Sequence, residues 1–284
     1  MEDVAVVEVA LLPAVALGEA PVSIVGVFDG HNGSQAATYA ATHLPLLLRD
    51  DGALACVEDE GVMSDALERA FLTVDAAILA ESAAQGRRDG ATALVAVRSG
   101  GCVWTAHCGD SRCVAGVVSA GPPGIPEYSH QLLPDRQTLR ARALTRDHTA
   151  SNASEAARVR AAGGTLHFAG CWRVVAQGER AGMRAALAVT RAFGDAAFKL
   201  QPSPHVLASP EVTRTQLTPD LRFLILATDG LWDVLTDQAA VDVAQGAREG
   251  LPGDEVKMAE ALVQAALLRG SMDNVTAAVM LLDW

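Results

Sequence analysis

Short apolar runs that lead into or follow an aspartate recur along this chain. Residues 22–28, 102–109 and 221–228 each lead into an aspartate, and residues 275–282 follow one closely. Continuous apolar runs of this length, bounded by turn residues, predict buried β-strands. An aspartate at such an end is held by a rigid sheet and still reaches the sheet's rim. We therefore expect Asp29, Asp110, Asp229 and Asp273 at the rims of β-sheets.

The other predicted elements are grouped by type along the chain. Further strands are predicted at 4–11, 91–98, 102–107 and 112–118, with a hairpin turn at 99–101. Helices are predicted at 34–49, at 64–84 with Ser64 as N-cap, from Asn152 to the glycines at 163–164, and at 236–247 and 254–269. Residues 119–142 are predicted to be a surface insertion. Grouped strands and helices favour an α+β fold of antiparallel sheets covered by helices over a parallel doubly wound sheet.

The four aspartates indicate a cation site. Carboxylates brought to one rim repel each other unless a cation lies between them. Ligation by oxygen alone, without a cysteine or histidine cluster, favours a hard cation such as Mg²⁺ or Mn²⁺.

Length and charge narrow the class of protein. The chain has 284 residues, which fits one large domain, and a net charge of −12. An acidic chain disfavours nucleic acid or an anionic membrane as the main partner, because both need a basic face.

The apolar start at 4–17 lacks the basic flank of a signal peptide, and no run reaches the ~20 apolar residues of a membrane span. Five irregularly spaced cysteines favour a reducing compartment. We expect a cytoplasmic or nuclear protein, with a targeting segment ahead of Met1 as the alternative that would change this location.

Eight short motifs, in one order, carry a family resemblance. They are VFDGHNG at 27–33, DGATA at 89–93, CGDSR at 108–112, LTRDH at 144–148, VRAAGG at 159–164, LAVTRAFGD at 187–195, ATDGLWD at 227–233 and GSMDN at 270–274. In this series the chain resembles the type 2C, metal-dependent serine/threonine protein phosphatases, in particular plant and algal members. The resemblance implies a single catalytic domain over 1–284, built as a four-layer α-β-β-α sandwich of two antiparallel sheets flanked by helices.

The resemblance also implies a metal centre. Its ions are two Mg²⁺ or Mn²⁺, with a third, weaker ion beside them. In this reading Asp29 bridges the two ions and Asp229 and Asp273 bind one of them. The implied metal ligands are Glu2 (partly through water), Asp29, the backbone carbonyl of Gly30, Asp229 and Asp273, with Asp110 and Asp233 for the third ion.

The implied reaction is direct hydrolysis of phosphoserine and phosphothreonine in proteins by water activated between the metals. The resemblance and the near-neutral pKa of imidazole make His31 the expected general acid for the leaving oxygen. Thr92, Arg191, Gly194 and Asp195 lie in matching motifs, and we expect scaffold or flap roles for them, without a direct part in the chemistry. The predicted phosphatase acts as a monomer.

Two departures from the family pattern keep alternatives open. Relatives carry a strand and a phosphate-binding arginine ahead of the segment that matches Met1 to Asp3, so we expect this domain to lack both and to bind phosphate less tightly. The stretch 165–186 is longer than usual, and we expect it either to tune the choice of substrate or to bind a regulatory protein, with Trp172 exposed or in the core. The alternatives are a weak or inactive pseudophosphatase that binds phosphoproteins or a regulatory partner, and a hydrolase of small phosphate esters.

Overall fold

The computed structural model describes residues 1–12, 22–52, 54, 59–118, 138–176, 185–199, 203–248 and 253–282. Its strands are β1 (Val4–Leu12), β2 (Val22–Phe28), β3 (Gly30–His31), β4 (Gly90–Ala91), β5 (Ala93–Ser99), β6 (Cys102–Cys108), β7 (Arg112–Val118), β8 (Leu139–Ala143), β9 (Thr165–Ala169), β10 (Cys171–Val175), β11 (Ala186–Leu187), β12 (Phe193–Gly194), β13 (Glu211–Gln216), β14 (Leu221–Ala227) and β15 (Ala277–Leu281). Its helices are α1 (Gln35–Asp51), α2 (Glu60–Gln85), α3 (Ala153–Ala161), α4 (Ala196–Lys199), α5 (Asp229–Trp232), α6 (Asp237–Ala247) and α7 (Asp254–Leu268).

Two antiparallel sheets form the centre of the molecule. The first sheet has the strand order β1-β2-β5-β6-β13, and the second has the order β15-β14-β7-β8. Helices α1 and α2 cover the outer face of the first sheet, where Leu44 and Phe71 join one buried cluster with Ile24. Helices α6 and α7 cover the second sheet in the same way. The predicted α+β class and the four-layer α-β-β-α order are therefore confirmed.

The apolar runs follow from burial on both faces of each sheet. Successive side chains of a strand point to opposite faces. Val27 accordingly packs between the sheets, whereas its neighbour Phe28 packs against the helices. In β14, Leu224 faces the first sheet and Ile225 faces α6 and α7. Because both faces are covered, the strands are continuously hydrophobic.

The structure corrects two of the predicted elements. Helix α2 begins before Ser64, because the side chain of Asp59 accepts hydrogen bonds from the N–H groups of Gly61 and Val62 and caps the helix. Strand β8 begins within the predicted insertion at 119–142 and ends one residue after it, and β8 pairs with β7 at the edge of the second sheet. Residues 119–137 of that insertion lie outside the described part of the chain.

Two small three-stranded sheets accompany the two main sheets. Strands β12, β4 and β3 form one of them, with Gly194 paired to Gly90 and Gly90 paired to His31. The other consists of β11, β10 and β9. Among the helices described, none has both the length and the apolar character to cross a bilayer.

Candidate metal centre

Three aspartate carboxylates meet where the two main sheets adjoin. Asp29 follows β2, Asp110 lies between β6 and β7, and Asp229 is the first residue of α5, directly after Thr228, which follows β14. One oxygen of each lies within 4.8 Å of the oxygens of the other two, and all three side chains are half-buried. The sequence separates these residues by up to two hundred positions, and the sheets bring them to one edge. Such a group of oxygens matches the ligand preference of Mg²⁺ and Mn²⁺.

Burial and mutual repulsion make the three converging carboxylates hard to ionise. Burial, together with the charges of Asp229, Asp3 and Asp110, raises the pKa of Asp29 to about 10. Burial and the charge of Asp229 raise the pKa of Asp110 to about 7. Burial and two neighbouring carboxylates raise the pKa of Asp229 to about 6. Without a cation, the cluster therefore retains protons near neutral pH, and a divalent ion that replaced them would relieve the repulsion.

Asp3 also belongs to this acidic edge, which the sequence interpretation missed. Its side chain is 8% exposed, and its Oδ2 accepts a hydrogen bond from the hydroxyl of Thr228 at 3.0 Å. Burial raises its pKa, and the charge of Asp273 adds to the effect. Because Val4 pairs with Phe28, the antiparallel register places Asp3 opposite Asp29. The available signal was its position beside Glu2 at the start of an apolar strand.

The remaining predicted ligands lie around the three central carboxylates. Glu2 accepts a hydrogen bond through Oε1 from the N–H of Gly33 at 2.6 Å. Gly30 packs against the Glu2 backbone, where an added Cβ would lie 2.5 Å from the carbonyl oxygen, so this position requires glycine. Asp233 and Asp273 add negative charge that raises the pKa of Asp229. Within the described residues, the group of mutually close oxygens contains neither these two aspartates nor Glu2.

A shallow groove of about 690 Å³ begins beside Asp233. Arg112 lines it and is held by both oxygens of Asp147, at 2.9 and 2.6 Å, and by Asp237 at 2.7 Å. Its guanidinium also lies 5.3 Å from the ring centre of Trp232. These contacts give one wall of the groove a fixed shape.

His31 is half-buried and forms a pair with the buried Asp195, which we call the dyad. The Nε2 atom of His31 lies 2.8 Å from Oδ2 of Asp195. Burial alone would lower the pKa of His31, but the hydrogen bond and charge of Asp195 outweigh it and raise the pKa above its usual value. The sequence does not predict this contact, because 164 positions separate the two residues.

A buried ionic network anchors the segment that leads to Asp195. Glu155 is 4% exposed and accepts hydrogen bonds from Arg158 and Arg191, the shortest at 2.9 and 2.7 Å. The hydroxyl of Thr190 donates to it at 2.7 Å. Burial alone would raise the pKa of Glu155, but these bonds outweigh it and lower the pKa to about 2. Helix α3 and the chain at 190–191 are thereby fixed to each other.

The hairpin of β9 and β10 exposes two aromatic side chains. Phe168 and Trp172 are paired across the strands, their ring centres are 5.4 Å apart, and they are 58% and 39% exposed. The structure thus places Trp172 at the surface and not in the core. Residues 177–184 of the long stretch lie outside the described part of the chain.

Comparison with known sequences gives consistent matches. The sequence model of the family described as protein phosphatase 2C matches residues 1–275. Probable protein phosphatase 2C 69 of Arabidopsis thaliana is 34% identical over 262 residues, which cover 91% of this chain and 61% of that protein. Probable protein phosphatase 2C member 13, mitochondrial, of Oryza sativa subsp. japonica is 35% identical over 260 residues, with coverages of 91% and 60%. The chain therefore spans about three fifths of the length of these relatives.

Solved structures show the same fold. The serine-threonine phosphatase 2C from Toxoplasma gondii superposes with a TM-score of 0.77 at 22% identity, over 99% of this chain and 94% of that one. A sex determining protein of C. elegans superposes with a TM-score of 0.69 at 24% identity, over 92% and 57% of the two chains. Because these identities are low, the structural likeness is evidence for the fold alone.

Proposed function

The chain belongs to the protein phosphatase 2C family, and from this premise we propose that it is a metal-dependent protein serine/threonine phosphatase with a dinuclear centre. The observation that carries the proposal is the convergence of Asp29, Asp110 and Asp229 within 4.8 Å. Membership of the family supplies the reaction class, and the convergence of the three carboxylates supports a metal site in this chain.

The residues present fit divalent metal ions. The three central side chains offer oxygen, and burial together with neighbouring negative charges raises their pKa values, an effect that a divalent cation would offset. We assign Asp29 to a bridging position, because one carboxylate can offer an oxygen to each of two ions. The proposed ligands are Glu2, Asp29, the Gly30 carbonyl, Asp229 and Asp273, with Asp110 and Asp233 for a weaker third ion.

When bound, two Mg²⁺ or Mn²⁺ ions would lower the pKa of water and offset the negative charge of the phosphate. The chain's own residues would do the rest. His31 would deliver a proton to the serine or threonine oxygen as its bond to phosphorus breaks. The groove beside Asp233 would accept the polypeptide next to the phosphorylated residue, with Arg112 and Trp232 as one wall.

We also propose that the exposed pair Phe168 and Trp172 contacts a regulatory protein. Two large aromatic side chains at the end of a hairpin supply contact area of the kind found at the centres of protein interfaces. A Trp172→Ala variant should then keep its turnover of a short phosphopeptide and lose binding to that partner.

Phosphate release from a phosphothreonine peptide tests the proposed function. The wild-type chain should turn over with Mn²⁺ or Mg²⁺ and stop in EDTA, and Asp229→Asn should abolish the metal-dependent rate. Asp242→Asn is a matched control, because Asp242 is an exposed residue of α6. Peptide binding without turnover, at metal concentrations that saturate the site, would indicate a pseudophosphatase. A preference for small phosphate esters over phosphopeptides would indicate the other alternative.

A further inference from the structure

We propose that Asp195 is the positioning residue for His31, fixing the orientation of the imidazole ring that serves the leaving group. The inference rests on the proposed phosphatase function and adds a residue to its machinery. It starts from the 2.8 Å contact between Nε2 of His31 and Oδ2 of Asp195. Asp195 is 3% exposed, so little water competes for this contact.

The contact assigns different tasks to the two ring nitrogens. A carboxylate oxygen accepts hydrogen bonds, so Nε2 is the nitrogen that donates to Asp195. Nδ1 then remains to exchange a proton with the substrate. As the P–O bond to the threonine breaks and a water oxygen bonds to phosphorus, the threonine oxygen takes the proton from Nδ1. The attacking water releases one proton to solvent, and Nδ1 regains a proton from solvent after the threonine leaves. A ring held at Nε2 presents Nδ1 in one direction, which shortens the search for the productive geometry.

The backbone at Asp195 is held in an unusual conformation. Its φ is +55°, which is uncommon for a residue other than glycine. The conformation is secured on both sides, because its N–H donates to the carbonyl of Asp89 at 3.2 Å and its carbonyl accepts from the N–H of Phe198 at 2.9 Å. A strained residue that several contacts hold in place is a common property of functional sites.

The small sheet brings the two partners together. His31 pairs with Gly90 in β4, and Gly90 pairs with Gly194, the residue before Asp195. A side chain at Gly90 would collide with both Nε2 of His31 and the carboxylate of Asp195, so the dyad needs glycine here.

Helix α2 provides a second anchor for the segment. Oδ1 of Asp75 accepts a hydrogen bond from the N–H of Gly194 at 2.8 Å and another from Nζ of Lys199 at 2.5 Å. These bonds tie the chain on both sides of Asp195 to a long helix without contacting His31. Asp75 therefore offers a control for general loosening of the segment.

The experiment compares two substrates with different leaving groups in the metal-loaded enzyme. Threonine oxygen needs a proton when it leaves, whereas the acidic phenol of p-nitrophenyl phosphate does not. Asp195→Asn keeps the shape and tolerates positive φ, but its amide cannot orient the imidazole as a carboxylate does. We expect kcat on a phosphothreonine peptide to fall about 10–100-fold, part of the 10²–10⁴-fold that proton transfer supplies. We expect kcat on p-nitrophenyl phosphate to change by less than about threefold.

Controls separate positioning from loss of structure. Asp75→Asn should lower kcat on both substrates by similar factors, because it loosens the segment that carries Asp195 but keeps both side chains of the dyad. In a His31→Ala background, Asp195→Asn should have no further effect on the peptide. Equal losses on the two substrates for Asp195→Asn, or full additivity with His31→Ala, would overturn the proposal.

A measurement without turnover distinguishes this inference from the proposed function. The ¹⁵N spectrum of the metal-free protein should show Nε2 of His31 protonated in the wild type and altered in Asp195→Asn. An unchanged His31 spectrum would overturn the positioning role even in an active phosphatase. A wild-type chain that hydrolysed neither substrate would contradict the proposed phosphatase function. It would equally contradict a role for the dyad in protonating the leaving group.

Discussion

Replacing Asp110 by asparagine should make the metal-free protein more stable at neutral pH, although it removes a carboxylate from the candidate metal centre. The folded chain raises the pKa of this group from 3.8 to about 7, through burial and the charge of Asp229. Each pKa unit corresponds to about 1.4 kcal/mol, so ionising Asp110 costs on the order of 4 kcal/mol in the folded state. Because side chains relax and water reaches part of the cluster, we expect the variant to gain about 1–4 kcal/mol.

The gain should depend on pH in a defined direction. Below pH about 4 the carboxyl group of Asp110 is protonated in the folded and unfolded chains, so wild type and variant should differ little through this effect. As pH rises from about 4 to about 7, the unfolded chain releases the proton first, and the wild type loses stability relative to Asp110→Asn. Above pH about 7 the difference should be constant.

Urea denaturation in EDTA at several pH values measures this difference directly. Thermal unfolding in the same buffers provides a second measure, in which a gain of 1 kcal/mol should raise Tm by about 2–4 °C. With Mn²⁺ or Mg²⁺ added, the advantage of Asp110→Asn should shrink, since the wild type gains more from metal binding. Asp242→Asn, at an exposed position of α6, should have the same unfolding curves as the wild type, both in EDTA and with metal added. An Asp110→Asn variant that is less stable than wild type in EDTA at pH 7.5 would refute the reasoning.

Three further predictions concern the residues around the site. Glu155→Ala should cost about 3–5 kcal/mol in urea denaturation, because Arg158 and Arg191 lose their shared buried carboxylate; a loss below 1 kcal/mol would contradict this. Burial lowers the pKa of His148 to about 2, so below pH about 6.5 this residue takes up a proton only when the chain unfolds. The free energy of unfolding should therefore fall as pH decreases, and His148→Gln should lose less stability between pH 7 and 5 than the wild type. Gly90→Ala should reduce peptide turnover at least about tenfold, since its methyl group would displace the dyad; wild-type kinetics would refute that.

Much of the fold could be predicted because local pattern and tertiary position agree. The apolar runs at 22–28 and 221–227 are buried on both faces, so their hydrophobicity marks them as strands without knowledge of their neighbours. Helix α2 began earlier than expected because Asp59 is an equally good cap, and sequence alone does not rank it above Ser64. Strand β8 was missed because Arg140 and Arg142 suit an exposed edge as well as a loop.

The motifs identified the three central carboxylates of the site but not the contacts that other residues make with it. Asp29, Asp110 and Asp229 end apolar strands in recognisable motifs, and the structure brings them together. The positions of Asp3 and Asp195 depend on strand register and on a contact across 164 positions, which no local pattern specifies. The metal-binding roles themselves stay predictions, which ion binding can test.

Calorimetric titration of the metal-free chain with Mn²⁺ tests the proposed metal centre most directly, because it does not depend on knowing the substrate. We predict that the wild type binds two ions per chain, that Asp242→Asn does the same, and that Asp29→Asn loses both sites because the carboxylate that we propose to bridge the ions is gone. A wild-type chain that binds no Mn²⁺, or an Asp29→Asn variant that binds two ions with wild-type affinity, would contradict the assignment.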